Sequence, residues 1–407
     1  MSVSTARHSL LFVLAAAAIL LITTGTRQVT GLFVLPIIST TGVSIAAISL
    51  ALAVGQFVWG AAQPLFGALA DHFGAFRVLV AGALLLAAGL ALTAFATSEP
   101  SLMVTLGVLS AAGAAAGSFS ILIGGTSRLL APHQRSMATG IVNAGGSLGQ
   151  FVFAPVTQFV IAAWSWGAAM FTLAAAALLT IPLALPFMRR NTPAPGPVAD
   201  ARPHTTLRQQ LGIAMQDPSY IFLNLGFFTC GFHVAFLVTH FPGEIQNCGL
   251  SPTIAANSLA IIGLFNVAGS VGAGLLGQRY RMKHLLAGIY ASRALMIGAF
   301  LLMPKTALNV YLFAAGMGLT WLATVPPTSG LVGKLFGVQY LGTLFGITLV
   351  SHQTGAFLGA WLGGIAMARM GSYQWVWYAD MALALGAALA NLPIREDRPV
   401  ARAVVAT

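Results

Sequence analysis

Charge is what this sequence has least of. Of its 407 residues only 7% are Asp, Glu, Lys or Arg, against roughly 25% in an ordinary soluble domain, and that excludes a water-soluble globule. Cysteine is down to two residues, Cys230 and Cys248, which excludes a disulfide framework. The apolar runs are continuous instead of alternating with period two, which excludes a β-barrel. A nucleophile beside a base, a metal-ligand cluster and a phosphate-binding glycine loop are all missing. Neither an enzyme nor a metal or cofactor site is therefore expected.

What is there is apolar: 57% of the residues are hydrophobic. Stretches of about 20 or more recur from end to end, each long enough to cross a hydrocarbon core of roughly 30 Å as a helix. Between turn signals they give twelve spans, at 9–36, 44–70, 76–97, 101–130, 135–162, 166–188, 217–243, 252–277, 284–303, 307–334, 339–368 and 374–393. The first is too long for a signal peptide, lacks a small-residue cleavage site and holds Arg27, so it is read as a transmembrane helix. The segment 189–216, rich in Pro, Ala and charge, reads as a linker. The fold class is thus an all-α membrane protein of twelve transmembrane helices. Its parts are a first half (1–188), a cytoplasmic linker (189–216), a second half (217–394) and a cytoplasmic tail (395–407).

A net charge of +11 from 19 Lys and Arg against 8 acids invites a nucleic-acid reading, but the distribution explains it otherwise. Only Lys305 and Arg369 fall on the side away from the termini, and Arg27 and Arg293 lie within spans, leaving fifteen of nineteen on the side of the termini. By the positive-inside rule both termini are expected in the cytoplasm, in a bacterial-type inner membrane. Nucleic acid is not an expected partner.

Slid against itself by 206 residues, the chain pairs Gly25 with Gly231, Arg27 with His233 and Pro36 with Pro242. The same offset pairs Arg128 with Lys334, Gly140 with Gly346, Gly149 with Gly355 and Phe151 with Phe357. One offset across two distant regions indicates a duplication. With six helices between mates, the halves are parallel repeats.

The loop "GALADHFGAFR" (Gly67, Asp71, Gly74, Arg77) resembles the G-x-x-x-D-x-x-G-x-x-R/K loop of the major facilitator superfamily, and "GLLGQRYRMK" is its second copy with Gln278 in place of the acid. The resemblance implies that Asp71 and Arg77 form a conformational latch; simple helix-end charges are the alternative. "RLLAPHQRSMATGIVNAGGSLGQFVFAP" resembles the loop and fifth helix of the monocarboxylate transporter and oxalate/formate antiporter branch, through Ala138, Gly140, Ala144, Gly145 and Gly149. For each glycine the plain reading is close helix packing. Arg27 followed by "VTGLFVLP" is similar to that branch's basic residue late in helix one. A guanidinium cannot shed its proton, and its planar fork grips a carboxylate with two hydrogen bonds. The branch's acid and arginine in helix eight are absent, since those positions hold Asn266 and Ser270.

In this fold helices one, four, seven and ten face a central cavity, so His233, the mate of Arg27, is expected there too. Histidine is a natural proton carrier, and His233 and His352 are the candidates for coupling, although a histidine merely bonded to a neighbouring helix is the competing reading. Gln56, Trp59, Asn143, Asn266, Trp321 and Gln353 are further substrate-binding candidates. Arg293 is expected to turn inward to a carbonyl or acid, in a structural role. Asp380, near the outer end of helix twelve, reads as an interface residue beside the aromatic belt, with a proton role as the lesser alternative. The Pro326-Pro327 pair breaks helix ten and permits a bend.

These readings lead to a monomeric secondary active transporter of a small organic anion, a carboxylate, working by alternating access with protons as candidate coupling ions. The competing class is a proton-driven exporter of drug-like or lipophilic cations, which would place an acid in the cavity where this sequence offers a base.

Overall fold

The computed structural model describes residues 3–118, 121–122, 132–188, 206–337 and 340–396, and every regular element among them is helical. Among the described residues ten helices are long and apolar enough to cross a membrane: α1 (Leu10–Thr41), α2 (Ile45–Ala70), α3 (Ala75–Thr93), α4 (Glu99–Ala116), α5 (Gly140–Ala163), α6 (Trp166–Met188), α7 (Pro218–Asn247), α8 (Pro252–Arg279), α9 (Met282–Leu302) and α10 (Ala307–Phe336). Two further helices, α11 (Leu341–Met370) and α12 (Gln374–Asn391), stand at the eleventh and twelfth expected positions. Ser351-His352-Gln353-Thr354 dilutes the hydropathy of the first, and Gln374, Asp380 and Asn391 that of the second.

Two boundaries differ from the sequence reading. The first span continues past Pro36 to Thr41, where Gly42 at φ 71° closes it in the left-handed conformation that glycine adopts without strain. The expected linker is partly helical: Leu207–Gln216 forms a helix whose start is fixed by a reciprocal Thr206–Gln209 capping box, while 189–205 lie outside the described residues.

The duplication is visible in the packing. A Cβ on Gly149 would run into the Leu21 carbonyl, bringing α5 against α1, and one on its mate Gly355 would run into the Phe228 carbonyl, bringing α11 against α7. Small residues at these crossings let backbones touch, which in lipid is the main source of helix association. Gly140 does not share this role, because a Cβ there meets open space.

Contacts between the halves run from the middle of the bundle to the end away from the termini. Gly31 of α1 abuts the Val238 carbonyl of α7, Gly364 of α11 abuts Ser49 of α2, and Gly60 of α2 abuts Gln353 of α11. On α5 and α8, Gly263 abuts Gln150 and Phe151, and Asn266 Nδ2 donates to Ser147 Oγ at 3.0 Å. Two turns toward the termini from Gly60, Ser147 and Gln353, on the same helix faces, lie Gly67, Gly140 and Gly346, where a Cβ would meet nothing. Among the described residues the halves are therefore closed together at the far end and parted at the end that carries the termini.

Helix α10 breaks into turns at Trp321–Thr324 and restarts with Pro326 and Pro327 in its first turn, where a missing N–H costs nothing. The freed backbone groups find side chains. Arg293 Nη2 donates to the Trp321 carbonyl at 2.8 Å and to that of Thr320, and Asn266 Oδ1 accepts from Leu322 N at 3.1 Å. Arg293 thus meets carbonyls from the peripheral helix α9.

Candidate functional site

Arg27 lies in the last turn of the first segment of α1, which changes to a 3-10 turn at Thr30–Phe33. A cation there faces the partial negative charge of a helix C-terminus. Its guanidinium carbon lies 4.0 Å from the Trp59 ring centroid, and Nη1 donates to Gln56 Oε1 at 2.5 Å. Trp59 and Gln56 sit three residues apart on α2, the spacing that puts both on one face. Arg27 Nε is buried without a hydrogen-bond partner. The guanidinium is therefore positioned by an amide and a ring, with no ion pair among the described residues and a donor to spare.

It stands at the edge of a small, partly open pocket between α1, α2, α3 and α4. Thr26, Thr30, Gln56 and Ser110 add polar groups, and Leu86 and Leu90 of α3 with Leu106 and Ala114 of α4 make an apolar wall. The α4 side of that wall is a π-helical segment, Met103–Ser110, in which Ser110 Oγ donates to the Thr105 carbonyl at 2.6 Å. Such segments are rare and concentrate at functional sites. The sequence showed no sign of it, since its composition is ordinary for a membrane helix.

The other candidates are placed elsewhere. Gln353 of α11 is buried against Gly60, one turn from Gln56, with Oε1 unpaired. His233 does not line the pocket. It turns to α12, where Nδ1 bonds Asp380 Oδ2 at 2.6 Å with both residues fully buried. The expectation of Asp380 at the membrane interface is thereby corrected: two turns into α12, about 9 Å deep, it needs a partner and finds His233. Trp321 is fully buried at the break of α10, its ring centroid 6.3 Å from that of His233. His352 is half-buried against Phe227, at 4.9 Å between centroids. His240 bonds the Ala360 carbonyl through Nε2 at 2.7 Å.

Asn266 is fully engaged, bonding Ser147, Ser270 and the α10 break. Asn266, held by Ser270 on the same helix, makes a neutral contact between the halves. Asn143 is half-buried on α5. Arg77 is exposed at the start of α3, and the Asp71 side chain lies outside the described residues, as do Arg128 and Ala138, so the latch is not part of the described geometry. A comparable clamp stands in the second half. Glu396 accepts from Lys334 Nζ at 2.7 Å and from the Met282 and Lys283 amides at 3.1 Å each. Burial alone would push the Glu396 carboxyl up, but these bonds hold it below the ordinary carboxylate range.

A polytopic helical bundle, closed at one end and holding a fixed cation inside, defines the class of membrane transporters. The chain belongs to the Major Facilitator Superfamily, whose model matches residues 13–359. Monocarboxylate transporter 13 of Rattus norvegicus is 27% identical over 335 residues, 80% of this chain and 73% of that one. The oxalate:formate antiporter of Oxalobacter formigenes is 24% identical over 404 residues, 97% and 93% of the two chains. In fold the chain is similar to a D-xylose-proton symporter at TM-score 0.75 and 16% identity, covering 97% of this chain and 98% of that one. It is also similar to a bacterial homologue of the human lysosomal transporter Spinster, at TM-score 0.71 and 14% identity, covering 93% and 92%.

Proposed function

We propose that this protein is a secondary active transporter that moves a small organic anion, a carboxylate, by alternating access, coupled to protons. The observation that carries the reading is Arg27, a fixed cation seated on Trp59 and Gln56 with no acid among the residues lining its pocket. Relatives named for monocarboxylates and for oxalate and formate support the substrate class. The carboxylate binds Arg27 beside Thr26, Thr30 and Ser110, and its remainder lies against the leucine wall. Gln353, Asn143, Asn266 and Trp321 serve the path between the halves, and Asp71 with Arg77 the latch at the termini end.

With both termini in the cytoplasm of a bacterial-type inner membrane, the present arrangement opens inward. His233 and His352 are the coupling candidates. The monomer is the working unit. A cation exporter finds no support in the Arg27 pocket, whose charge would repel its cargo.

The test is uptake of radiolabelled lactate, formate and oxalate into proteoliposomes by the wild type, Arg27→Lys and Arg27→Ala. Lysine keeps the charge but loses the two-pronged grip and the stacking on Trp59, so a partial loss is expected, and a complete one for alanine. Wild-type uptake by both variants would overturn the site.

A further inference from the structure

His233, the mate of Arg27 under the repeat, sits in a buried polar cluster of the second half. His233 of α7 and Asp380 of α12 are both fully buried and joined at 2.6 Å. Each keeps one polar atom without a hydrogen bond, His233 Nε2 and Asp380 Oδ1. Beyond the imidazole lies Trp321, whose carbonyl is held from α9 by Arg293 Nη2. Arg293 is itself fully buried, and its Nε and Nη1 have no partner. Unsatisfied charged groups in such a setting are costly, and here three sets of them gather around one break in a helix.

We propose that His233 and Asp380 bind one proton as a unit and that the bound proton controls the break in α10. The inference rests on the reading of the chain as a transporter and names where its coupling proton sits. With the proton bound, the pair is an imidazolium on a carboxylate and carries no net charge. Without it, a neutral imidazole faces a carboxylate, and the low-dielectric interior holds a net negative charge that needs further donors. Arg293 has them. Deprotonation draws Asp380 toward Arg293 Nε and Nη1, loosening Arg293 from the Thr320 and Trp321 carbonyls and freeing α10 to move. The proton passes to water. Because both residues are sealed from solvent here, this exchange requires the second half to open, which is the condition a coupling site must meet.

A further titratable group faces the cluster, the Cys230 thiol, which feels the Arg293 charge and bonds His352. On α7, Cys230 Sγ contacts Thr324 Oγ1 at 3.2 Å, and His240 is bonded to Ala360. On α9 the neighbours are Tyr290 and Arg293, which stack at 5.4 Å, and on α11 His352 lies against Phe227. Helices α8 and α10 contribute the uncharged Asn266, Trp321 and Thr324.

The experiment is a pH titration of tryptophan emission and of the infrared carboxyl band in the purified full-length protein. An imidazolium quenches a neighbouring indole, so the wild type should show a transition assigned to Trp321 by its loss in Trp321→Phe. His233→Gln and Asp380→Asn should each abolish it, and Asp380→Glu should keep it with a displaced midpoint. In proteoliposomes with lactate as probe, Asp380→Asn should lose gradient-driven accumulation at least tenfold while keeping lactate exchange. A wild-type transition that survives in both His233→Gln and Asp380→Asn overturns the proposal. A wild type that transports no carboxylate but keeps the transition refutes the anion reading and leaves the proton site standing.

Discussion

Removing the hydroxyl of Ser147 should shift the protein toward the arrangement open at the far end. In the present state Asn266 Nδ2 donates to Ser147 Oγ at 3.0 Å, joining α8 of one half to α5 of the other, and both groups are buried. In Ser147→Ala the Asn266 amide loses that acceptor only while the halves are closed at the far end. A net hydrogen bond is worth about 1 kcal/mol and a stranded buried donor about 1–3 kcal/mol. Even the lower figure moves a two-state ratio about fivefold. Asn266 keeps its bonds to Ser270 and Leu322, so the fold of the second half should be unaffected. The assay is the distance distribution between spin labels at Phe73→Cys at the end of α2 and Thr343→Cys on α11, in a background lacking Cys230 and Cys248. Both positions are exposed at the termini end in the present state. The ratio of short- to long-distance populations should rise about fivefold in Ser147→Ala and stay near wild type in Ser147→Thr. An unchanged distribution in Ser147→Ala would refute the view that this bond helps hold the far end shut.

The scaffold was legible because it is written in spacing. The spans follow from apolar runs, and the glycine pairs at one offset mark the α1–α5 and α7–α11 crossings that the packing shows. Arg27 was legible as an expensive residue in a hydrophobic run, and Gln56 and Trp59 followed as polar and aromatic neighbours on α2. The orientation of His233 was not. A repeat predicts equivalent backbone positions, but the side chain follows its local partner, and that partner, Asp380, aligns with Ala174 in the first half. Depth was the signal overlooked at Asp380: two turns into a helix an acid is out of reach of headgroup water. The linker helix failed to register because ten residues of mixed polarity carry too little periodicity. The π-helical stretch of α4 has no compositional signature at all. The missing acid of the second loop copy, Gln278, led nowhere in sequence; in space, Glu396 arrives from the end of α12 to cap α9 and pair with Lys334.

That clamp has a pH signature. The folded Glu396 carboxyl is held below its unfolded value, so its contribution is present at neutral pH and is lost as pH falls through the folded value. Glu396→Gln should lower thermal stability in detergent at pH 7 by about 1–2 kcal/mol, and the difference from wild type should shrink as the pH is lowered through the acid range; a difference independent of pH would show that the carboxylate is not what the clamp uses. The last prediction concerns glycines that no contact explains. Gly140 and Gly346 are mates under the repeat, each two turns from a residue that joins the halves, and each faces open space. In a helix interior glycine costs up to about 1 kcal/mol relative to alanine, so a glycine that packs against nothing is a liability in this state. If alternating access closes the termini end, α5 and α11 must there approach their partners as closely as Gly60 and Gly263 do now, and only a residue without a Cβ permits it. Gly346→Val should leave stability and the present state intact while cutting carboxylate transport at least tenfold, whereas Gly149→Val, whose Cβ meets the Leu21 carbonyl in this state, should destabilise the fold itself. Full transport by Gly346→Val would mean that the termini end closes along some other face.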